Sequence, residues 1–354
     1  MEKNKNPRIK DIAEMAGVST GTVDRILHNR GKVSEEAHKK VEAVLKKIDY
    51  HPNLIARSLA LKKKYKLAVI IPHFADGQYW QIVSNGIDKA EQELASYNIE
   101  IERIYFDQYD RNSFDALVPA LRENEYHGAL IATLFQDSAL ALTRQFDALK
   151  IPYVLIDAYI DRTRCLAYYG TNSYDSGYIG AKLLFDQMHP DDDIAIFRFI
   201  RKGDVFSTQV LKREEGFRAY LDEHHHRGTI FPVHIHADKP ENNIKLLDSF
   251  FMQHETVKNG IIFNSKVHVV CDYFHARQKG DFRLIGYDIV RENVKYLHAG
   301  VVTHLIAQRP EVQGFNSIRA LFRHLVLKEE VERINYMPID ILIKENIRYY
   351  NNYI

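Results

Sequence analysis

Short apolar segments alternate with longer amphipathic segments from Lys66 onward, and this alternation restricts the possible folds more than any other feature. The first apolar segments are KLAVIIP, IEIERIY, GALIAT and PYVLID, with helix-like patterns at 79–97, 112–124 and 137–149 between them. Buried parallel strands appear as apolar runs, and they need helical crossovers to connect them. The sequence therefore predicts an α/β fold built on a parallel sheet.

A second set of similar segments follows a bridge near Gly170. Helix-like patterns at 173–188, 207–223, 240–254 and 266–279 separate the segments DIAIFRF, IFPVHI, GIIFN and FRLIGYD. Residues 300–354 add GVVTHLI, a helix near 310–328 and YMPIDILI, and we expect the chain to cross between the halves near 290 and 330. Ligands of open α/β sheets bind beyond the carboxyl ends of the strands. Residues 66–354 thus predict two doubly wound parallel-sheet subdomains that face each other across a ligand cleft.

The first 52 residues have a different pattern, that of short helices. Ala13 lies on the apolar face of the first helix, Gly17 stands where a tight turn is needed, and Ser19 caps a second helix that packs back through Val23. Ser34 caps a third amphipathic helix. The spacing of Ala13, Gly17 and Val23 is that of a helix-turn-helix, so we predict a DNA-binding head.

Residues 53–65 connect the head to the body and begin NLIARSLALKKK. This segment is too short to be a stable helix alone, but it places Leu59 beside basic residues. A segment that becomes ordered only on a partner, with a bulky apolar residue among basic ones, suits a wedge in the DNA minor groove. An ordinary linker is the alternative.

The charge distribution supports separate partners for the two parts. Residues 1–66 contain 16 Lys and Arg against 8 Asp and Glu, whereas the rest contains 32 against 39. A basic head favours a polyanion such as DNA, although a solvated charged surface would give the same totals. The 354 residues include two cysteines, no signal-peptide pattern and no long apolar run, so we expect a soluble protein of a reducing, cytoplasmic compartment.

Residues 9–60 resemble the head of the lactose repressor family of bacterial transcription regulators nearly position by position. The resemblance implies that Thr20, Gly21 and Arg25 hold base-reading positions. It also implies that Thr22 and Asn29 contact phosphates and that Ala56 and Leu59 lie in the minor groove. Two positions depart from the family pattern. Gly21 stands where a longer side chain is common, and Asp24 stands where a small hydroxyl residue is usual. Asp24 could pair with Arg25 or accept a hydrogen bond from a cytosine amine.

The body resembles the periplasmic-binding-protein-like effector domain of the same family. LKREEGF places Arg213 where family members commonly hold a ligand hydroxyl, and Asn264 and Asp288 match polar ligand contacts at strand ends. TNSYDSG and QRPEVQG also resemble family segments. Two features depart from the pattern: Ser265 replaces the usual acid, and the first loop reads HFADGQYWQ. The resemblance implies a small effector of the sugar or polyol type.

A sugar site needs bidentate polar groups and an aromatic face. Tyr79, Trp80 and Phe135 follow predicted strands and are the aromatic candidates. Core packing is the favoured alternative for Phe135, and for Trp80 both readings stay open. For Arg213 and Asp288, the alternative is a structural ion pair.

No catalytic pattern accompanies these candidates. The sequence has no GxxxxGK[ST], GxSxG or HExxH motif, and three adjacent histidines at 224–226 cannot face one ion on a helix. We therefore predict no enzyme, no cofactor and no metal. The prediction is a dimeric, ligand-responsive transcriptional repressor. A sugar-binding transport protein and a carbohydrate enzyme on a similar body are the rival classes.

Overall fold

A computed structural model describes residues 9–27, 33–48, 64–123, 125–200, 207–236, 240–278 and 280–350. The chain divides into two compact units, Met1–Lys62 and Lys63–Ile354. Of the predicted DNA contacts, Asn29, Ala56 and Leu59 lie outside the described residues.

The head contains three helices within its described residues: α1 (Ile9–Ala16), α2 (Thr20–Leu27) and α3 (Glu35–Lys47). Their small core consists of Ile12, Ala13, Ala16, Val23 and Val41. Gly17 has a φ of 63°, which confirms the predicted turn between α1 and α2. The hydroxyl of Ser34 accepts a hydrogen bond from the Ala37 amide, which confirms the predicted cap of α3.

The first lobe of the body has a parallel sheet in the order β2-β1-β3-β4-β5-β11. Its strands are β1 (Tyr65–Pro72), β2 (Ile99–Phe106), β3 (Gly128–Ala132), β4 (Tyr153–Ile156), β5 (Ala167–Gly170) and β11 (Ile334–Tyr336). Its helices are α4 (Tyr79–Glu93), α5 (Arg111–Asp115), α6 (Val118–Glu123), α7 (Gln136–Leu149) and α13 (Pro310–Phe322), and a π-helical turn (Arg323–Leu327) extends α13.

The second lobe repeats this arrangement with the strand order β7-β6-β8-β9-β10-β12, in which only the pairing of β12 is antiparallel. Its strands are β6 (Ile194–Ile200), β7 (Ile230–His236), β8 (Asn259–Ile261), β9 (Arg283–Tyr287), β10 (His304–Ala307) and β12 (Asp340–Leu342). Its helices are α8 (Ser173–Phe185), α9 (Thr208–Glu223), α10 (Pro240–Gln253), α11 (Val267–Ala276), α12 (Arg291–His298) and α14 (Ile347–Tyr350).

The two sheets correspond strand by strand, and the predicted α/β architecture is confirmed. The crossings differ from the predicted positions near 290 and 330. The chain stays in the second sheet through β10, returns to the first lobe at α13, and crosses again between β11 and β12. The reason is that β10 pairs with β9, which extends the second sheet by one strand before the chain leaves it.

Two elements have weaker sequence patterns than the rest. The segment predicted as a bridge near Gly170 includes strand β5, which is too short to give a periodic pattern. Helix α12 buries Asn293 together with Tyr296 and Leu297, so a polar side chain interrupts its apolar stripe. Periodicity alone does not detect a helix whose buried face includes an asparagine.

Each lobe contains a close helix crossing built on a pair of glycines. In the first lobe, a Cβ on Gly86 of α4 would overlap the carbonyl oxygen of Glu311, and one on Gly314 of α13 would overlap that of Val83. In the second lobe, Gly177 of α8 and Gly216 of α9 form the equivalent pair. Gly177, Gly216 and Gly314 belong to motifs singled out in the sequence, and all four glycines allow two helix backbones to touch on one face of each sheet.

We predict that Gly216→Ala destabilises the body by about 3 kcal/mol, because the added methyl group would overlap the Tyr174 carbonyl and force α8 and α9 apart. Urea unfolding followed by circular dichroism measures this difference. Gly280→Ala is the control, since a Cβ there meets nothing within 4 Å. Equal stabilities of the two variants would contradict the close crossing.

Candidate functional site

One face of α2 in the head is exposed. Thr20, Gly21 and Arg25 lie on it, Thr22 is half-buried, and Val23 points into the small core. This arrangement follows from the helical period, because residues three or four apart share a face. The head therefore presents to solvent the residues that the family resemblance implies are base-reading.

Local hydrogen bonds hold this surface. The Ser19 hydroxyl accepts from the Thr22 amide at 3.1 Å, which confirms Ser19 as the cap of α2. Arg25 donates through Nε to the Gly21 carbonyl oxygen at 3.1 Å, so its side chain lies along the helix. A Cβ on Gly21 would meet the guanidinium of Arg25 at 3.8 Å and the Ser19 hydroxyl at 3.9 Å, both ordinary contacts. The helix itself therefore does not require a glycine there.

A cavity of about 400 Å³ lies between the two lobes of the body. Its first-lobe wall is formed by residues 76–80, at the start of α4, and by Gln108. Its second-lobe wall is formed by Ser265, Lys266, His268 and Val269 at the start of α11, and by residues 290–292 at the start of α12. This volume lies within the range of small-molecule pockets.

Equivalent strands of the two lobes end in an aspartate. Asp157 follows β4 and Asp288 follows β9, and both residues have positive φ values, 83° and 68° respectively. Positive φ is uncommon outside glycine and indicates a conformation that the surrounding contacts impose. Both aspartates are buried.

Side-chain hydrogen bonds fix the loops that carry these aspartates. The Thr133 hydroxyl donates to the carbonyl oxygens of Ile156 and Ala158, on either side of Asp157. The Asn293 amide donates to the carbonyl oxygens of Tyr287 and Asp288 and to that of Ser265. Asn293 therefore connects the loops that follow β8 and β9.

Arg213 is completely buried between these loops, with an exposed fraction of 0%. Its Nη1 donates to the carbonyl oxygen of Phe263 at 2.8 Å, and its Nη2 donates to Oε1 of Gln308 at 3.1 Å. The guanidinium carbon lies 4.1 Å from the centre of the Tyr287 ring. Its Nε has no hydrogen-bond partner. A buried charge normally uses all of its donors, so this orphan group indicates a binding position.

Gln308 connects the members of this cluster. Its Nε2 donates to Oδ1 of Asp288 at 2.9 Å, while its Oε1 also accepts from Gln209 at 3.3 Å. Gln209 donates in addition to the Asp157 carbonyl oxygen at 3.0 Å, which joins the second lobe to the first. Arg213 and Asp288 thus interact through Gln308 and not as the directly hydrogen-bonded ion pair considered from sequence.

Burial raises the pKa of Asp288 to about 6, although the Arg213 charge and the Gln308 hydrogen bond act in the opposite direction. Tyr79, 7% exposed, has a hydroxyl group without a hydrogen-bond partner. Burial raises the pKa of Tyr79 well above its usual value, and the carboxylates of Asp288 and Asp157 raise it further. Both aspartates therefore act electrostatically on the Tyr79 hydroxyl.

The structure brings together some of the residues predicted from sequence and separates others. Tyr79, Arg213 and Asp288 meet in one buried cluster, and Trp80 lines the cavity. Asn264 is half-buried, and its Oδ1 accepts from the Lys266 amide in the turn after β8. Phe135 packs on Phe106 and Phe114 in the first-lobe core. Phe135 thus packs as a core residue, the alternative that the sequence favoured for it.

Sequence reasoning missed Gln209, Gln308 and Asn293. Gln308 directly follows strand β10 and opens the QRPEVQG motif, so its strand-end position was a usable signal. Gln209 and Asn293 lie within the first turns of helices, where no pattern separates a buried amide from a solvated one.

Within the described ranges, no group of three or more His, Cys, Asp and Glu side chains is arranged to hold a metal ion. Among the same residues, no helix combines the length and the apolar character needed to span a bilayer.

Comparison with known proteins covers both units. Residues 8–53 match the family described as bacterial regulatory proteins, lacI family, and residues 67–329 match the periplasmic binding protein domain. The ribose operon repressor of Halalkalibacterium halodurans is 24% identical over 286 residues, which are 79% of this chain and 80% of the relative.

Solved structures resemble the body. A Bacteroides fragilis protein provisionally described as a LacI transcriptional regulator is 43% identical, with a TM-score of 0.78, over 81% of this chain and 100% of that chain. A glucose-galactose binding protein from Geobacillus stearothermophilus has a TM-score of 0.69 at 19% identity, over 80% of this chain and 99% of that one. The second likeness shows a shared fold alone.

Asp288 generates a prediction about pH. Because the pKa of Asp288 is near 6 in the folded state and near 3.8 in model compounds, the folded state retains this proton between those values. The stabilisation of the folded state by the protonated Asp288 side chain is full below pH 4 and is lost as the pH rises through 6. The free energy of unfolding of wild type should therefore fall between pH 4 and pH 7 by up to about 3 kcal/mol relative to that of Asp288→Asn.

Urea unfolding of both proteins at several pH values measures this difference. Asp161→Asn, at an exposed carboxylate, is the control for the loss of a charge. A wild-type to Asp288→Asn difference that does not vary with pH would contradict the protonated state of Asp288.

Proposed function

We propose, because this chain belongs to the lacI family of bacterial regulatory proteins, that it represses carbohydrate-utilisation genes and that a sugar or polyol switches it. The chain is a DNA-binding transcriptional regulator and not an enzyme. One observation carries the effector part of the proposal. Two polar groups that lack partners, the Tyr79 hydroxyl and Arg213 Nε, belong to one buried cluster between the lobes.

The proposed DNA contacts follow the exposed face of α2. Thr20, Gly21 and Arg25 would face base edges in the major groove, and the neighbouring Thr22 would approach phosphate. Asn29 is the second proposed phosphate contact, and Ala56 and Leu59 are proposed for the minor groove. One head reads half of a palindrome, so we propose a homodimer that acts in the cytoplasm, where operator DNA lies.

The proposed effector contacts are Tyr79, Trp80, Arg213, Asn264 and Asp288. Hydroxyl groups of a sugar suit the cluster, because an aspartate accepts and a guanidinium donates in fixed directions. Trp80 supplies an aromatic face on the cavity wall. A ligand that touches both lobes binds the closed arrangement better than an open one, and so shifts the population toward closure.

The rival functions lack equivalent support. A transport protein would share the body, but the head matches the lacI family over residues 8–53. The ribose operon repressor of Halalkalibacterium halodurans, a relative over most of the chain, is a regulator and not a carbohydrate enzyme. Ligand and operator must change each other's affinity by the same factor, about 5- to 150-fold for typical couplings.

We expect Arg25→Ala to weaken operator binding by about 1–3 kcal/mol, because it removes a base-reading guanidinium from the exposed face of α2. The operator is selected by the wild-type protein from random duplexes, and affinity is measured by fluorescence anisotropy at two salt concentrations. Lys39→Ala, which removes one exposed charge from α3, should cost less. Equal losses for the two variants would leave Arg25 only a general electrostatic role.

Tyr79→Phe tests the effector site. Removing a buried hydroxyl that lacks a partner should not destabilise the free protein, but it should weaken effector binding by about tenfold if the effector satisfies that group. The effector is found by a thermal-shift screen of sugars, polyols and their acids, and its affinity is measured by calorimetry. Tyr97→Phe, at a ring that packs on Phe322, is the control.

The same screen tests the function. Operator titration with and without the best compound should show a change in affinity for wild type and a smaller change for Tyr79→Phe. An unchanged Tyr79→Phe response would place the effector elsewhere. If no carbohydrate or polyol changes either the thermal stability or the operator affinity of wild type, the proposed ligand class is wrong.

A further inference from the structure

Lys266 occupies an unusual position in the cavity between the lobes. It stands directly before α11, lines the cavity and is half-buried. Its ammonium nitrogen lies 4.5 Å from the centre of the Tyr109 ring, which belongs to the first lobe, and 5.7 Å from that of Phe199 in the second. The charge is thus held between aromatic rings from both sides of the cleft.

No carboxylate of the described chain forms an ion pair with Lys266, whereas other body lysines, such as Lys66, Lys89 and Lys182, each have one. The adjacent Ser265 supplies no charge. Burial lowers the pKa of Lys266 to about 8, which is the expected response of an ammonium group that loses water without gaining a counter-ion. The positive charge of Lys266 at the cavity wall is therefore not paired with any carboxylate of the described residues.

The rest of the wall is compatible with an anion at this place. Helices α4, α11 and α12 all begin at the cavity, and none of their N-cap residues, Gln78, Lys266 and Val290, makes a side-chain cap. The first amides of a helix carry partial positive charge. Of the two carboxylates on the wall, Asp76 accepts from Gln81, and Glu292 is exposed next to Arg291.

We propose that the effector carries an anionic group, a carboxylate or a phosphate, and that Lys266 binds it in the cavity between the lobes. This inference rests on the proposed function, in which a carbohydrate effector closes the body. An anion would pair with this ammonium group, for which the described residues supply no carboxylate partner, and a charge-assisted hydrogen bond at a half-buried position is stronger than one in water. The effector class thereby narrows to sugar acids and sugar phosphates.

The experiment uses the full chain and matched sets of probes. Glucose, glucuronate and glucose 6-phosphate form one set, the galactose counterparts form a second, and sorbitol with gluconate forms a third. Thermal-shift screening followed by calorimetry should show binding of at least one acidic member, with its neutral counterpart about tenfold weaker or silent. A carboxylate hit and a phosphate hit distinguish the two sources of the anion.

Variants at residue 266 then test whether Lys266 binds the anionic group of the effector. Lys266→Met should weaken the acidic hit by about tenfold or more and reduce its discrimination against the neutral counterpart, and Lys266→Arg should restore much of both. Lys295→Met, on the exposed side of α12, should leave both unchanged. Operator binding without ligand, measured in parallel, reports whether each variant is folded. Lys266→Gln replaces Lys266→Met if the latter fails to fold.

The outcomes separate this inference from the proposed function. A hit that is neutral, or an acidic hit whose affinity does not depend on residue 266, overturns the anion proposal and leaves a carbohydrate-responsive regulator. Absence of any hit, while the protein still binds operator, overturns both the anion proposal and the carbohydrate effector. An acidic hit that depends on Lys266 and alters operator affinity supports both.

Discussion

The burial of the Arg213 guanidinium is the interaction on which the cleft depends. A charge with no exposure to solvent is tolerated only when surrounding groups replace water, and here the Phe263 carbonyl, Gln308 and the Tyr287 ring do so. Through its hydrogen bond to Asp288, Gln308 also fixes the position of that aspartate relative to the guanidinium. The guanidinium thus contacts groups at the ends of three neighbouring strands, β8, β9 and β10, and its Nε has no hydrogen-bond partner.

Close helix packing makes that position available. A Cβ on Gly177 would overlap the backbone carbonyl of Arg213 itself, so α9 reaches its place only because α8 has a glycine at the crossing. The reciprocal contact of Gly216 with Tyr174 holds the same crossing from the other side. Arg213, which we propose as an effector contact, and the glycine three positions later are therefore one structural unit within the LKREEGF motif.

The sequence predicted most of the fold, because buried parallel strands and amphipathic helices have distinct periods. The family resemblance also placed Arg213 and Asp288 in one site, and the position of Tyr79 after a strand added it to that site. Sequence reasoning failed where the deciding contact is a hydrogen bond between buried amides. Asn293 interrupts the apolar stripe of α12, and Gln308 looks like any polar residue after a strand, yet both determine the loop geometry around Asp288. Phe135 was ambiguous because core and ligand contacts select the same aromatic side chain.

The cleft has two electrostatically different ends. At one end, the carboxylates of Asp157 and Asp288 raise the pKa of the Tyr79 hydroxyl, whereas the Arg213 charge lowers it. Such an end favours ligand groups that donate hydrogen bonds, which sugar hydroxyls do. At the other end, Lys266 has a positive charge without a carboxylate partner in the described chain, which favours an acceptor or an anion. A ligand with hydroxyls at one end and an acid at the other would bind in one orientation only, and its length would span both lobes. Closure would then depend on both ends being satisfied together, because neither wall alone presents both kinds of group.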